Sequence, residues 1–168
     1  MKKEKIPQID SVLLSKYILA LNGPMNHMKL QKLLYYIQAW HLVFFEQPLF
    51  EDDFEAWLHG PVTRRVWNTY RDRSILWNTL TINSKETREI KKRIKEILSK
   101  DQLEMINDVL SEYGDKGAYH LESLTHSEQP WIKARKGKRN DEACSKKISK
   151  KSMAKYYSSL LENSNEQI

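Results

Sequence analysis

The sequence predicts a mainly α-helical single domain, a bundle packed around one buried central helix at about residues 28–45. Apolar residues recur along this stretch with the 3.6-residue period of a helix. Shorter segments before and after it repeat the same period in narrower stripes. The chain has 168 residues, of which 40% are hydrophobic, and this is enough for one buried core but short for two.

The central helix carries the widest apolar surface of the chain. Its main stripe consists of Leu30, Leu33, Leu34, Ile37, His41 and Phe44. Four neighbours widen this stripe until little of the helix is left for water: Tyr35, Trp40, Val43 and Phe45. Asn26 is suited to cap the amino end of the helix, and Pro48 ends it because the residue before a proline avoids the α region. A helix that is apolar around most of its circumference belongs inside a bundle.

Six further helices are predicted around it, one of them over residues 61–72. The others cover residues 10–21, 85–98, 102–113 and 117–124, and a last one runs from Ser149 or Ser152 to about 161. Their starts are marked by residues that cap helices: Asp10 or Ser11, Ser84 and Asp101. Gly23 and Pro24 stop the first helix. Residues 10–161 therefore form the domain, with a flexible arm at 1–9 and a frayed tail at 162–168.

Two connections are harder to interpret. Residues 49–57 fit either a short β-hairpin with an acidic turn or one more helical turn. Pro61 suits the first position of a helix over residues 61–72, whose amino end would form an anion-friendly corner next to His59. Residues 73–84 form a connection that docks on the core through Ile75, Leu76, Trp77 and Leu80.

The residue types that commonly act in catalysis or bind metals form no recognisable catalytic or metal-binding pattern. The five histidines include no HExxH spacing, and no glycine-rich phosphate loop is present. The single cysteine, Cys144, excludes an internal disulfide and a cysteine metal cluster, although a mobile basic loop around it could lower its pKa. We expect His41 to be a hydrogen-bonded core histidine, and Thr125 with Glu128 to form a capping box. The sequence predicts no metal, no cofactor and no enzyme.

Charge is distributed unevenly along the chain. Residues 133–155 contain ten basic side chains and two acidic ones, whereas residues 46–55 contain five acidic side chains and no Lys or Arg. The basic cluster fits a solvated surface best, and nucleic acid or an acidic protein surface are the alternatives. No run of about 18 apolar residues and no signal sequence is present, so we expect a cytoplasmic protein without a membrane partner.

Three stretches resemble the Panacea domain, the family of SocA-like antitoxins and of the phage-associated GepA proteins. They are MKLQKLLYYIQAWHL (28–42), PLFEDDFEAWLHGPV (48–62) and LTHSEQPW (124–131), in the order that the family shows. The resemblance covers roughly residues 10–161. The motif residues, which we interpret mainly as determinants of the fold, are Lys29, Leu30, Lys32, Leu33, Gly60, Pro61, Val62, Thr125, His126 and Trp131.

The resemblance implies an antitoxin that neutralises a co-encoded protein toxin by direct binding, in a family whose members are paired with unrelated toxins. One alternative is a proteolytic adaptor, which delivers the toxin to a ClpXP-type AAA+ protease. The founding member of the family resembles such an adaptor. Another is a basic nucleic-acid-binding regulator. Large aromatic and arginine side chains often anchor interfaces. The candidate partner contacts are Tyr36, Trp57, His59, Arg64, Arg65, Trp67 and Trp77.

Overall fold

Helix α2 (His27–Phe45) lies at the centre of the fold, in a computed structural model that describes residues 2–73 and 78–166. Fourteen of its nineteen residues are buried, which confirms the predicted central helix. Asn26 Oδ1 accepts a hydrogen bond from the backbone N–H of Lys29, as expected of the cap. His41 is fully buried and bonded to the Gln47 carbonyl oxygen (2.6 Å) and to Gln102 (3.0 Å), so it is the core histidine predicted.

The described residues form eight helices and five short strands, and the predicted mainly α fold is confirmed. Besides α2 the helices are α1 (Ser11–Asn22), α3 (Arg64–Tyr70), α4 (Ser84–Ile97), α5 (Lys100–Tyr113), α6 (Ala118–His126), α7 (Gln129–Ala134) and α8 (Lys150–Glu166). The strands are β1 (Met25–Asn26), β2 (Phe54–Trp57), β3 (Gly60–Val62), β4 (Thr79–Leu80) and β5 (Lys147–Ile148). Helices α5, α6 and α8 pack directly on α2, and α4 packs on α1. None of the helices in the described residues combines the length and apolar character that a membrane crossing requires.

Caps and stops explain where most helices begin and end. Asp10 Oδ1 accepts from the backbone N–H groups of Val12 and Leu13, and Gly23 ends α1 with φ +77°. The caps of α4 and α5 are Asn83 and Ser99 rather than the predicted Ser84 and Asp101. In α5 the cap is reciprocal, because the side chains of Ser99 and Gln102 each bond the other's backbone N–H.

The β-hairpin exists, but it lies further along the chain than residues 49–57. Strands β2 and β3 pair antiparallel with Glu55 opposite Val62 and Trp57 opposite Gly60, so the turn lies at residues 58–59. Pro61 is therefore a strand residue, and the helix predicted to start there begins at Arg64. Local sequence favoured a helix start at Pro61, whereas pairing with β2 decided the structure. Strand β5 pairs antiparallel with the other edge of β2 and is the third strand of this sheet.

Both end segments of the domain have defined contacts or helical structure in the residues that the structure describes. Residues 2–9, expected to be a flexible arm, are hydrogen-bonded along the loop that follows α2; Ile9 N–H donates to the Leu49 carbonyl at 2.9 Å. The Gln8 side chain donates to the Pro48 carbonyl at 3.2 Å. Helix α8 continues to Glu166 instead of fraying at 162, since no Gly or Pro after Leu161 stops it. Of the connection at 73–84, Leu80 is buried as predicted, whereas Ile75, Leu76 and Trp77 lie outside the described residues.

Candidate functional site at the motif cluster and the Trp57 groove

The three sequence motifs meet in one place, where α2, the hairpin and α6 come together. Lys32 Nζ donates to the Pro61 carbonyl oxygen at 3.1 Å. Gly60 adopts φ +104°, and a Cβ atom on it would lie 2.5 Å from Lys32 Cε and 2.9 Å from Thr125 Oγ1. Only glycine therefore allows so close an approach. Together with Trp131, these four residues form the structure that we call the motif cluster.

Lys32 is the most unusual residue of this cluster, because its side chain is completely buried. Burial lowers the pKa of Lys32 to about 7, and the nearby Glu122 carboxylate opposes this shift only in part. A buried lysine near neutral pKa can be a catalytic base, but it needs access to a substrate. Here the amine is enclosed by the hairpin and bonded to its backbone. It therefore holds the hairpin against α2.

Trp131 holds the other side of the hairpin. Its Nε1 donates to the Trp57 carbonyl oxygen at 2.9 Å, and its ring stacks on His126 with a centroid distance of 4.0 Å. The Arg135 guanidinium lies over the Trp131 ring, 4.8 Å from its centroid, and donates to the Ala56 carbonyl oxygen at 2.8 Å. Burial also lowers the pKa of His126. His126 and Trp131 thus stabilise the fold around β2.

Glu128 does not form the predicted capping box with Thr125. Thr125 lies in the last turn of α6, where Oγ1 donates to the Glu122 carbonyl oxygen at 2.8 Å. The Glu128 carboxylate instead accepts from the hydroxyl groups of Tyr36 (2.6 Å) and Tyr157 (2.9 Å) in the interior. Burial raises the pKa of Glu128, and the two tyrosine hydroxyls oppose that rise. A tertiary contact has therefore replaced the local one.

The remaining motif residues belong mostly to the core. Leu30, Leu33 and Val62 are all buried, and Lys29 is half-buried at the first turn of α2. Tyr36 was predicted as a partner contact, and this is wrong. Its ring is fully buried and stacks on Tyr113 at a centroid distance of 4.0 Å.

Three of the candidate contact residues do come together at the surface. Trp57 and Trp67 are half-buried, with ring centroids 5.4 Å apart, and the Arg64 guanidinium lies 5.3 Å from the Trp57 ring centroid. Arg64 is held in this position by two hydrogen bonds to the Glu55 carboxylate, both 2.8 Å long. The Arg64 cation therefore lies over one face of the Trp57 ring, in a cation–π arrangement.

The other two described candidates are engaged elsewhere. His59 Nδ1 lies 2.9 Å from a carboxylate oxygen of Glu122, and Arg65 forms an ion pair with Asp10. The anion-friendly corner predicted beside His59 is absent, because α3 begins at Arg64 and His59 lies in the hairpin turn. Across residues 2–73 and 78–166, no three His, Cys, Asp or Glu side chains converge so that they could hold a metal ion.

An open groove of about 520 Å³ lies beside Trp57. Its walls are Trp57, Leu58, Arg64, Lys138, Ala143, Cys144, Ser145 and Lys146. We call it the Trp57 groove. Cys144, which the sequence places in a basic, mobile loop, has a buried side chain that is 8% exposed. Three of these side chains are cationic, and Trp57 contributes a large aromatic ring.

The basic cluster at 133–155 is partly neutralised within the protein. Asp53, from the acidic segment, forms ion pairs with Lys147 (3.1 Å) and Lys150 (2.8 Å), and these contacts lower the pKa of Asp53. Arg135 is buried, and Lys138 pairs with Glu142 at 3.3 Å. The two segments of opposite charge therefore meet in the fold. This leaves a weaker positive surface than the sequence suggested.

Sequence reasoning missed several polar residues that fix loops onto helices. The Gln31 side chain accepts from the backbone N–H of Thr63 at 2.9 Å. The Gln38 side chain likewise accepts from Leu49 N–H and donates to the Phe50 carbonyl, at 2.8 and 2.7 Å. A glutamine inside an apolar helical stretch is a signal that a buried backbone group needs a partner. The pattern alone does not identify that partner.

The chain matches the model of a known protein family. The profile of the family described as "Antitoxin SocA-like, Panacea domain" matches residues 30–132. This range contains most of the central helix, the hairpin and every residue of the motif cluster. Among curated proteins and solved structures, none matches.

Proposed function

Since the chain belongs to the family of SocA-like antitoxins with a Panacea domain, we propose that it neutralises a co-encoded protein toxin by direct contact. Membership of this family is the observation that carries the proposal. It confirms the resemblance on which the sequence-based expectation rested. The proposed toxin is the protein product of a neighbouring gene.

Binding rather than catalysis is supported by where the reactive side chains lie. Lys32 and His41 are fully buried and bonded to backbone carbonyl groups. Glu128 is buried and bonded to two tyrosine hydroxyls. Groups with perturbed pKa values are common in active sites, but they are also common in buried structural networks. We therefore propose a protein whose work is done by its surface.

We place the toxin-binding surface at the Trp57 groove. Trp57 offers a large rigid ring, and Arg64, Lys138 and Lys146 lie around it. Arg64 and Lys138 are paired with Glu55 and Glu142, so the positive charge that the groove offers a partner rests mainly on Lys146. A partially buried aromatic anchor beside an exposed charge is typical of interface hot spots and of electrostatic steering. The surface that this groove fits is an acidic segment of the toxin.

Co-expression tests the function. The toxin is the product of the adjacent open reading frame, expressed in a host that it stops from growing. We expect the antitoxin to restore growth and to co-purify with the toxin. Failure to restore growth, with both proteins detected by immunoblot, would refute the proposal. Rescue that disappears in a host lacking ClpXP, with toxin levels rising, would replace direct neutralisation by proteolytic delivery.

A charge reversal tests the surface. Lys146→Glu changes the charge of the Trp57 groove without removing a core contact, because this side chain is exposed and bonds only the Lys136 carbonyl (3.2 Å) among the described residues. We expect at least a tenfold weaker complex, measured by biolayer interferometry with purified toxin. Lys95→Glu, an equal change on exposed α4, is the matched control and should bind as the wild type does. Equal binding by both variants would exclude the groove.

A further inference from the structure

A second groove lies on a different part of the surface, between the carboxyl end of α2, helix α5 and helix α8. It has a volume of about 210 Å³, and its floor is apolar and aromatic. The floor consists of Trp40, Phe44, Met105, Val109, Tyr113 and Leu161. We call it the Phe44 groove. Phe44 was predicted to belong to the buried stripe of α2, but 56% of it is exposed.

The floor of this groove is already held in place. Trp40 Nε1 donates to the Tyr113 hydroxyl at 3.1 Å, so its ring cannot turn freely. The Phe44 ring stacks on Trp40 with a centroid distance of 5.8 Å and an angle of 26° between the planes. A single exposed phenylalanine is common on protein surfaces. Here the exposed ring lies beside half-buried Trp40 and Leu161, and Met105, Val109 and Tyr113 form the buried base of the groove.

The rim of the groove is acidic, although the whole protein has a net charge of +6. Glu104, Asp108 and Glu112 follow each other at intervals of four residues, and all three are exposed on one face of α5. No Lys or Arg occurs between residues 101 and 113. Glu104 has a distant ion pair with Lys100 (3.9 Å), whereas Asp108 and Glu112 have none with any residue that the structure describes. Their charge therefore faces solvent beside the apolar floor.

The shape of the groove suits a helix. From Met105 to Tyr113 its wall spans nine residues of α5, a rise of about 12 Å, which is roughly the length of two helical turns. Amphipathic helices dock in such grooves through apolar side chains spaced at i, i+3 or i+4, and i+7. The chain's own basic amphipathic helix is not available as an occupant, because Ile90 and Ile94 of α4 are buried in the same molecule. A partner must therefore supply the helix.

We propose that the Phe44 groove is a docking site for an amphipathic helix of a partner protein, with apolar anchors over two turns and flanking Lys or Arg residues. The apolar side chains cover Phe44 and Trp40, and the basic residues pair with Asp108 and Glu112. The groove is built from other elements than the Trp57 groove. This docking site therefore stands whether or not the chain neutralises a toxin.

Two synthetic peptides test the proposal. Both are fluorescently labelled 18-residue helical peptides with leucines at i, i+3, i+4 and i+7; one has lysines at the flanking positions and the other has glutamates there. By fluorescence anisotropy with the full chain, we expect the lysine peptide to bind with a Kd in the micromolar range and the glutamate peptide at least tenfold more weakly. Equal binding of the two peptides would overturn the proposal.

Protein variants assign the binding to this groove. Phe44→Ala should weaken the binding of the lysine peptide at least tenfold. The double variant Asp108→Lys with Glu112→Lys should reverse the preference between the two peptides. The control, Glu89→Lys with Glu96→Lys, makes the same change of charge on exposed positions of α4 and should leave the preference unchanged. If the control variant weakens binding of the lysine peptide as much as the groove double variant does, the attraction comes only from the net charge of the protein, and the proposal fails.

Light scattering of the protein alone tests whether a second copy of the chain occupies the groove. We expect a monomer at concentrations up to those of the peptide experiment. A dimer that Phe44→Ala converts to a monomer would assign the groove to a second copy of the chain, and it would overturn the assignment to a partner helix.

Discussion

In the motif cluster, Lys32, Thr125 and Trp131 each direct a polar atom at a backbone carbonyl oxygen of the same protein. In the Phe44 groove, Asp108 and Glu112 direct theirs at solvent beside an exposed aromatic ring. Aromatic and charged side chains thus form internal contacts in the first region and face solvent in the second. The comparison teaches that the polar atoms of the family motif are used inside the protein, whereas the side chains left for a partner lie at the margin of the motif or outside it.

This separation gives a physical account of how one domain could serve different partners. A substitution in the motif cluster changes buried hydrogen bonds and close contacts, so its cost appears as lost stability. A substitution in either groove changes exposed side chains, which usually affect stability little. Partner preference can then change while the scaffold is retained. The following predictions test whether the two regions are as different as this.

The largest effect is expected from Gly60→Ala in the motif cluster. The added Cβ would overlap Lys32 Cε at 2.5 Å, and φ +104° is strained for any residue with a side chain. We expect a loss of about 3 kcal/mol or more in the free energy of unfolding, measured by urea denaturation. Gly137→Ala is the matched control, because φ is +88° there and nothing lies within 4 Å of the added Cβ. Equal losses for both variants would mean that backbone strain alone, and not the close contact with Lys32, makes Gly60 necessary.

Lys32 itself should give a smaller effect that depends on pH. Its pKa is about 7 in the folded protein and near 10.5 when the chain is unfolded. Between these values the unfolded chain binds a proton that the folded protein has released, so the contribution of Lys32 to stability rises with pH. Lys32→Met removes this contribution. The free energy of unfolding of the wild type should therefore gain about 2 kcal/mol relative to the variant between pH 7 and pH 9.

Paired urea denaturation curves at pH 7 and pH 9 measure this difference. Lys155→Met, which changes an exposed lysine, serves as the control and should follow the wild type at both pH values. A difference between wild type and Lys32→Met that stays constant with pH would show that the buried amine keeps its ordinary pKa. Lys32 would then be less closely enclosed than the other residues of the motif cluster suggest.

The helical scaffold can be predicted from local sequence, because its signals are local. The period of α2 and the caps at Asp10 and Asn26 depend on residues within a few positions of each other. Pro61 and Glu128 were misread since each carries a local helix signal that a distant partner overrides. Pro61 pairs with Ala56 in the hairpin, and Glu128 bonds tyrosines far away in sequence.

The candidate sites were harder to predict for a related reason. Sequence period indicates which side of a helix is apolar, but not how far along the helix its neighbours extend. Phe44 lies on the apolar side of α2 and is nevertheless exposed, whereas Tyr36, eight positions earlier, is fully covered. Trp57 and Trp67, the two tryptophans proposed as contacts, are both half-buried. Exposure of an aromatic ring is decided by tertiary packing and not by its own helix.

The smallest effect on stability is expected in the Phe44 groove. Phe44→Ala removes a ring that is 56% exposed, so we expect the free energy of unfolding to fall by less than about 1 kcal/mol. Phe54→Ala is the matched control: it removes the same ring from a position that is 1% exposed, and it should cost about 3–5 kcal/mol. Both are measured by urea denaturation at one pH. If Phe44→Ala costs as much as Phe54→Ala, Phe44 is part of the core, and the contrast between a region that folds the protein and a region that binds does not hold.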